Sequence, residues 1–166
     1  AQTREKLCHA ALNQSQVSEA PVSVVFVADP QCWKDSYAQV LQLSQERGTL
    51  DAAKGARIRR VVEFLYNIGP LGLLGFMKKL VLPLERLRRP MPNVMGSAQE
   101  AGDYVCCQTM LAAATFMLAA KSAGLESCLI ESFDEDRVRK LLKIPRPMRV
   151  ALIVCVGYSL EGYQEP

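Results

Sequence analysis

Two short stretches of the chain are apolar at nearly every position. They read VSVVFVA at residues 22–28 and RVALIVCV at residues 149–156, and both are rich in β-branched side chains. A run of this kind is typical of a strand that is covered on both faces of a sheet. The pattern therefore predicts two buried strands, and we place residues 22–28 at the centre of the sheet.

Elsewhere the apolar positions recur every three or four residues, which is the spacing of one helix face. Helices are predicted from about residue 33 to Gly48 and over residues 51–67. Another is predicted over residues 134–142, where Asp134 can cap the first turn. The apolar positions assigned to the first two helices are Trp33, Tyr37, Val40 and Leu41, and Ile58, Val61, Val62 and Leu65.

Residues 97–123 form a long stretch that is rich in alanine. Ser97 and Glu100 have the spacing of a capping box at a helix start, and the residues that follow are apolar on almost every side. One interpretation is a helix enclosed in the core or at a subunit interface, and the other is a transmembrane helix. The polar residues within the stretch favour the first.

The segment of residues 68–96 mixes glycine, proline, large apolar residues and basic side chains. Its prolines argue against one long helix, and its apolar stretches are too short to cross a bilayer. It is either a lid over a ligand site or a partner subunit, which we prefer, or a membrane-surface anchor. Its basic residues are Lys78, Lys79, Arg86, Arg88 and Arg89.

Composition limits the function classes. The chain has 166 residues, a formal net charge of +3, six cysteines and one histidine. These values fit a single globular domain over residues 1–166, with the lid or insert at about 68–96. They give no reason to expect a nucleic-acid partner, a metal site or a Ser-His-Asp triad. The cysteines lie in apolar runs and are expected to be reduced thiols of a cytoplasmic protein.

Three local sequences resemble the FMN-dependent nitroreductase family. They are AALNQSQVSEAPVSVVFVAD at residues 10–29, LAAKSAGLESCLIESFDEDRVRKLLKIP at 118–145 and RVALIVCVGYSLEG at 149–162. The resemblance implies an α+β fold, a three-layer α/β/α sandwich with a mostly antiparallel central sheet. It also implies a homodimer with FMN at the interface, in which the alanine-rich helix lies between the subunits.

The resemblance also suggests site residues. Asn13 matches the position whose amide binds the polar pyrimidine edge of the flavin, and Gln14 takes this role if the alignment shifts by one. Ile130, Glu131 and Ser132 match the turn whose backbone N–H groups reach flavin N5. Ser132 stands where the family often has glycine. No catalytic side chain is expected, because flavin N5 carries the chemistry.

The expected activity is hydride transfer from NADH or NADPH through FMN to a nitroaromatic, a quinone or a similar small-molecule electron acceptor. Phe76, Met77 and Met91 are candidates to line the acceptor pocket. The family's phosphate-gripping motifs are expected to precede Ala1 and follow Pro166, so the chain is expected to be part of a longer protein. Two alternatives are a reductive dehalogenase or flavin-destructase type member of the same fold, and a non-enzymatic membrane-surface or partner-binding protein that uses residues 69–92.

Overall fold

A computed structural model of the chain describes residues 2–69, 72–88, 90 and 94–159, apart from the side chain of residue 52. The chain forms two compact units. The first, which we call the sheet unit, consists of Ala1–Asp29 and Tyr104–Pro166. The second, the helical unit, is Pro30–Asp103.

The sheet unit contains a three-stranded antiparallel sheet with the order β1-β3-β2. Its strands are β1 (Val22–Ala28), β2 (Glu126–Ile130) and β3 (Arg149–Gly157). Of the described strands, β3 has a neighbour on each side, whereas β1 pairs only with β3. The prediction that β1 is central was therefore wrong. The two runs look alike in sequence, but the longer β3 occupies the centre.

Helices cover both faces of this sheet. Ile153 and Cys155 of β3 pack on one face with α1 (Gln2–Ala10), α2 (Ser15–Glu19) and α7 (Glu135–Leu142), while Leu152, Val154 and Val156 pack on the other with α6 (Ala98–Ser122). The register shifts between Phe26 and Val27, so that Val150 joins Ile153 and Cys155 on the first face. The three-layer α/β/α arrangement is thus present within one chain.

The long helix α6 is covered along one face. Ala101, Val105, Ala113 and Ala120 are buried, whereas Leu111 and Leu118 are exposed. By length and composition α6 could also cross a membrane, although only 17% of its most apolar window is buried. The expected enclosure on all sides is therefore not found within the single chain, and the described residues leave much of the helix uncovered.

The helical unit contains α3 (Trp33–Glu46), α4 (Ala52–Tyr66), α5 (Leu73–Arg86) and the first turns of α6. Side-chain caps are present at two of these helices, and the one at Ser97 was predicted. Asp51 accepts a hydrogen bond from the Lys54 backbone N–H at 2.7 Å, and the Ser97 hydroxyl accepts one from Glu100 at 3.2 Å. The Glu100 carboxylate accepts from the Gly96 N–H, one residue before the expected partner.

The predicted inward faces of α3 and α4 were only partly correct. Trp33 stacks on Tyr66 with ring centroids 5.8 Å apart, and Leu41 lies near Gly55. Gly55, which no pattern of large apolar residues marks, is therefore on the contact side of α4. Three predicted core positions are exposed instead, namely Val40, Ile58 and Val61.

Helix α5 passes through Pro83, although the prolines had suggested that the segment would break. One proline removes one backbone hydrogen bond, and the packing of the opposite face can hold the helix together. Gly75 makes this packing possible, because its backbone lies against the Gly96 carbonyl where a Cβ has no room.

Lys78 lies on the same buried face of α5 and is only 4% exposed. Its ammonium donates to the Phe64 carbonyl and, at 2.6 Å, to the Asn67 carbonyl, and it lies 4.7 Å from the centroid of the Phe64 ring. These carbonyls belong to the C-terminal end of α4, where a cation is favourable. Burial lowers the pKa of the Lys78 ammonium from its ordinary value.

Replacing Gly75 by alanine should destabilise the helical unit by about 1–3 kcal/mol, because the new methyl group would collide with the Gly96 backbone. Gly55→Ala is the matched control in a neighbouring helix. A Cβ there meets first the flexible end of the Gln45 side chain, so the higher helix propensity of alanine should leave stability unchanged or raise it. Urea unfolding of both variants measures the difference, and equal effects would contradict the close approach.

The stability difference between the wild type and Lys78→Met should depend on pH. The folded pKa of Lys78 lies below its unfolded value of about 10.5, so the unfolded chain binds more protons between the two values. The wild type should consequently gain stability relative to the variant as the pH rises from neutral toward 10.5. Unfolding curves at several pH values test this. Lys79→Met, at an exposed lysine that pairs with Glu100, is the control, and a constant difference for Lys78→Met would refute the prediction.

Candidate functional site

A tight turn follows the end of α1. Leu12 and Asn13 both adopt positive φ angles, of 57° and 58°, and the Asn13 N–H donates to the Cys8 carbonyl at 2.9 Å. Asparagine tolerates this left-handed conformation better than most residues, and the bond satisfies one of the last free carbonyls of the helix. The Asn13 side chain is exposed, and it makes no hydrogen bond to any described residue.

Gln14 connects this turn to a second one that is distant in sequence. Its side-chain N–H groups donate to the Ala11 carbonyl at 3.0 Å and to the Ser132 carbonyl at 2.9 Å. The backbone N–H of Asp134 adds a bond to the Ala10 carbonyl at 2.8 Å. The two segments that the sequence proposed for one ligand, 13–14 and 130–132, are therefore adjacent.

The second turn begins where β2 ends. Ile130 is 1% exposed and pairs with Ile153 of the central strand, so the turn starts from a rigid point of the core. Glu131 and Ser132 follow as exposed residues. Within the described part of the chain, neither of their backbone N–H groups has a hydrogen-bond partner. Asp134 then caps α7 by accepting from the Arg137 N–H at 3.0 Å.

This arrangement presents one side-chain amide and two backbone donors on neighbouring exposed turns. Such groups can bind a planar polar edge without any titratable side chain. The thiols of Cys8 and Cys155 belong to the core cluster that includes Ile130, and burial is the main cause that raises the pKa of the Cys155 thiol. The Cys8 thiol donates to the Gln14 carbonyl at 3.3 Å.

The structure distinguishes the two amides that the sequence offered as alternatives. Both described bonds of the Gln14 amide nitrogen go to protein carbonyls, so Gln14 fixes the turns, whereas the Asn13 amide stays available. The sequence contained no signal for this bridge, because its acceptor is a backbone carbonyl 118 positions away.

The remaining predicted residues lie elsewhere. Phe76 and Met77 are on α5 in the helical unit, and both side chains are exposed. Met91 is outside the described residues. Their role as acceptor-pocket residues stays a prediction. The single histidine, His9, is exposed, and its Nε2 lies 2.8 Å from an Arg137 guanidinium nitrogen.

One comparison with known proteins identifies a family. The model of the Nitroreductase family matches residues 1–158. A comparison with curated proteins finds no match.

Several solved structures share the fold. A nitroreductase family protein from Streptococcus pneumoniae is 25% identical, with a TM-score of 0.54, over 98% of this chain and 70% of that chain. An NAD(P)H:FMN oxidoreductase-type protein from Staphylococcus epidermidis is 17% identical, with a TM-score of 0.66, over 99% of this chain and 65% of that chain. A nitroreductase-type protein from Exiguobacterium sibiricum in complex with FMN is 16% identical, with a TM-score of 0.60, over 98% of this chain and 66% of that chain. The chain spans about two thirds of the length of each.

The bridge at Gln14 can be tested independently of any ligand. Gln14→Glu replaces the donating amide by a carboxylate that faces two carbonyl oxygens, which should lower the free energy of unfolding by about 2 kcal/mol. Hydrogen exchange at the backbone amides of residues 131–134 should accelerate. Gln16→Glu introduces the same charge at an exposed position of α2 and serves as the control. Similar effects of the two substitutions would show that the bridge contributes nothing.

Proposed function

Because this chain belongs to the nitroreductase family, we propose that it is an FMN-dependent oxidoreductase. In this proposal NADH or NADPH is the hydride donor, and a nitroaromatic, a quinone or a similar flat molecule is the acceptor. The observation that carries the proposal is the adjacency of the turns at 13–14 and 130–132, which the Gln14 side chain joins. The complex of the Exiguobacterium sibiricum protein with FMN and the name of the Staphylococcus epidermidis protein support the choice of cofactor.

The residues present fit the polar side of an isoalloxazine ring. The Asn13 amide offers both a donor and an acceptor to the pyrimidine edge. The backbone N–H groups of Glu131 and Ser132 are the proposed donors to N5, and Ile130 anchors their turn in the core. Bound FMN would supply the redox chemistry, since its N5 atom accepts and releases hydride.

The protein's own contribution is orientation. Asn13 and the turn after Ile130 can act on one rigid ring only if their separation is fixed, and the two bonds of Gln14 fix it. Ser132 has a side chain where the family often has glycine. Its carbonyl accepts a hydrogen bond from Gln14, which fixes the peptide group that follows Ser132.

We also propose that the protein is a cytoplasmic homodimer. The exposed apolar residues of α6, including Leu111 and Leu118, would be covered by the second subunit. Small residues such as Ala112, Ala114 and Ala119 on the same helix allow helices to approach closely. The single nitroreductase-like domain over residues 1–166, with a lid or insert at about 68–96, is a proposal as well.

The protein should bind FMN and oxidise NADH or NADPH in the presence of a nitroaromatic or a quinone. Asn13→Gly keeps a residue that tolerates the positive φ angle but removes the amide, and it should weaken FMN binding about tenfold. Leu12→Gly is the matched control, since it relieves the same backbone strain in the same turn without removing a polar group. Quenching of flavin fluorescence measures both affinities.

Each outcome of this titration has a separate meaning. Failure of the wild-type protein to take up FMN would overturn the proposed function. Equal affinities of the two glycine variants would instead remove Asn13 from the site and leave the function standing.

A further inference from the structure

Three cysteines meet on one face of the sheet. Cys155 of β3 belongs to the buried cluster that α1, α2 and α7 cover, and Cys8 of α1 and Cys128 of β2 pack against the same cluster. None of the three forms a disulfide in this structure. They come from three different elements, so only the fold brings them together.

Cys128 and Cys155 are directly paired. The antiparallel register places Cys128 of β2 opposite Cys155 of β3. Opposite residues point to the same side of a sheet, and their Cα atoms lie about 4.5 or 5.5 Å apart, depending on whether the pair is hydrogen-bonded. Disulfides span Cα separations of about 4.4–6.8 Å. The two strands therefore already meet the main geometric requirement of a disulfide.

Cys106 and Cys107 show that proximity in sequence does not achieve this. They are neighbours on α6, where consecutive side chains point about 100° apart and do not face each other. Their Cα atoms are about 3.8 Å apart, which is shorter than the usual range for a disulfide. Strand register, and not sequence spacing, distinguishes the pair that can join.

The two thiols of the cross-strand pair differ in accessibility. Cys155 is 2% exposed, and burial is the main cause that raises the pKa of its thiol. Its Sγ lies 3.7 Å from the hydroxyl of Ser23, the residue opposite it on β1. Cys128 is only half-buried. Because a thiol must be reached by the oxidant and ionise before it reacts, Cys128 is the one attacked first.

We propose that Cys128 and Cys155 are a redox-active dithiol that hydrogen peroxide converts into a disulfide. The Cys128 thiolate attacks one peroxide oxygen, the O–O bond breaks, and the departing hydroxide takes up a proton, which leaves a sulfenic acid on Cys128. The Cys155 thiolate then attacks the Sγ of Cys128, the S–O bond breaks, and a second hydroxide leaves as water. The two thiols lose two electrons, and one peroxide becomes two water molecules.

The disulfide is expected to be reversible. The Cβ atoms of opposite residues lie about 4.5–5.5 Å apart, whereas those of a disulfide lie about 3.5–4.5 Å apart, so closing the bond strains the strands. A strained disulfide is readily reduced by other thiols. The bond would tie β2 to β3 two residues before Ile130, where the turn of the candidate site begins. The step needs neither a flavin nor a nicotinamide, so it is independent of the proposed function.

Mass spectrometry of the full-length protein tests the proposal. Hydrogen peroxide should lower the mass of the single chain by two hydrogen atoms, and dithiothreitol should restore it. After digestion with trypsin without reductant, the peptide of residues 122–137 should be joined to the peptide that begins at Val150. Any other pairing among the six cysteines gives a different product, because the other four lie in the peptides of residues 7–34 and 89–121.

Three variants assign the roles. Cys128→Ala, at the half-buried position, should lower the cross-linked fraction at least about tenfold and leave Cys155 as a thiol. Cys155→Ala should stop the reaction at the sulfenic acid of Cys128, which dimedone labels. Cys107→Ala, at an exposed position of α6, is the control and should form the disulfide as the wild type does. Circular dichroism checks that all variants are folded.

Four results would overturn the proposal. The first is absence of a disulfide after peroxide treatment, and the second is a doubled mass, which would show that two chains are joined. The third is a bond from Cys8 to Cys155, which would make the helix thiol the partner. The last is a cross-link that persists at the wild-type level in Cys128→Ala.

Discussion

The position of β3 between β1 and β2 is the constraint on which the sheet unit depends. Both faces of β3 are buried, one under α1, α2 and α7 and the other under α6. The strand cannot shift by one residue without exchanging its two faces, because side chains alternate along a strand. The register of β3 sets the position of Ile153, which pairs with Ile130 of β2. Ile130 is the last residue before the exposed turn of the candidate site. The site is thus an extension of the core.

The second half of the candidate site is held by polar contacts instead. The turn that follows α1 is strained, because Leu12 and Asn13 both have positive φ angles. The Gln14 amide connects this turn to the Ser132 carbonyl. Apolar packing can bring the two chain segments near each other, but it does not set a separation to a few tenths of an ångström. Hydrogen bonds with directional preferences do so, which suits a site that must fit a rigid planar ligand.

The sequence predicted most of what depends on local chemistry. The strands β1 and β3, the cap at Asp134 and the helix start at Ser97 were all indicated by residues close to the feature itself. The errors arose where distant partners decide. Strand order cannot be read from two similar apolar runs, and the orientation of α5 depends on a glycine contact with Gly96 that no periodicity shows. The hydrogen bond from the Gln14 side chain to the Ser132 carbonyl also depends on a partner that is distant in sequence.

Helices α5 and α6 both leave apolar residues exposed, yet their chemistry differs. The uncovered side of α6 mixes alanines with Leu111 and Leu118, and a surface of small side chains fits another protein surface, where close contact gives the stabilisation. The exposed side of α5 lacks alanine and carries large flexible side chains, such as those of Phe76, Met77 and Leu80. Hydrophobicity alone would treat the two exposed surfaces as equivalent, whereas side-chain size distinguishes them.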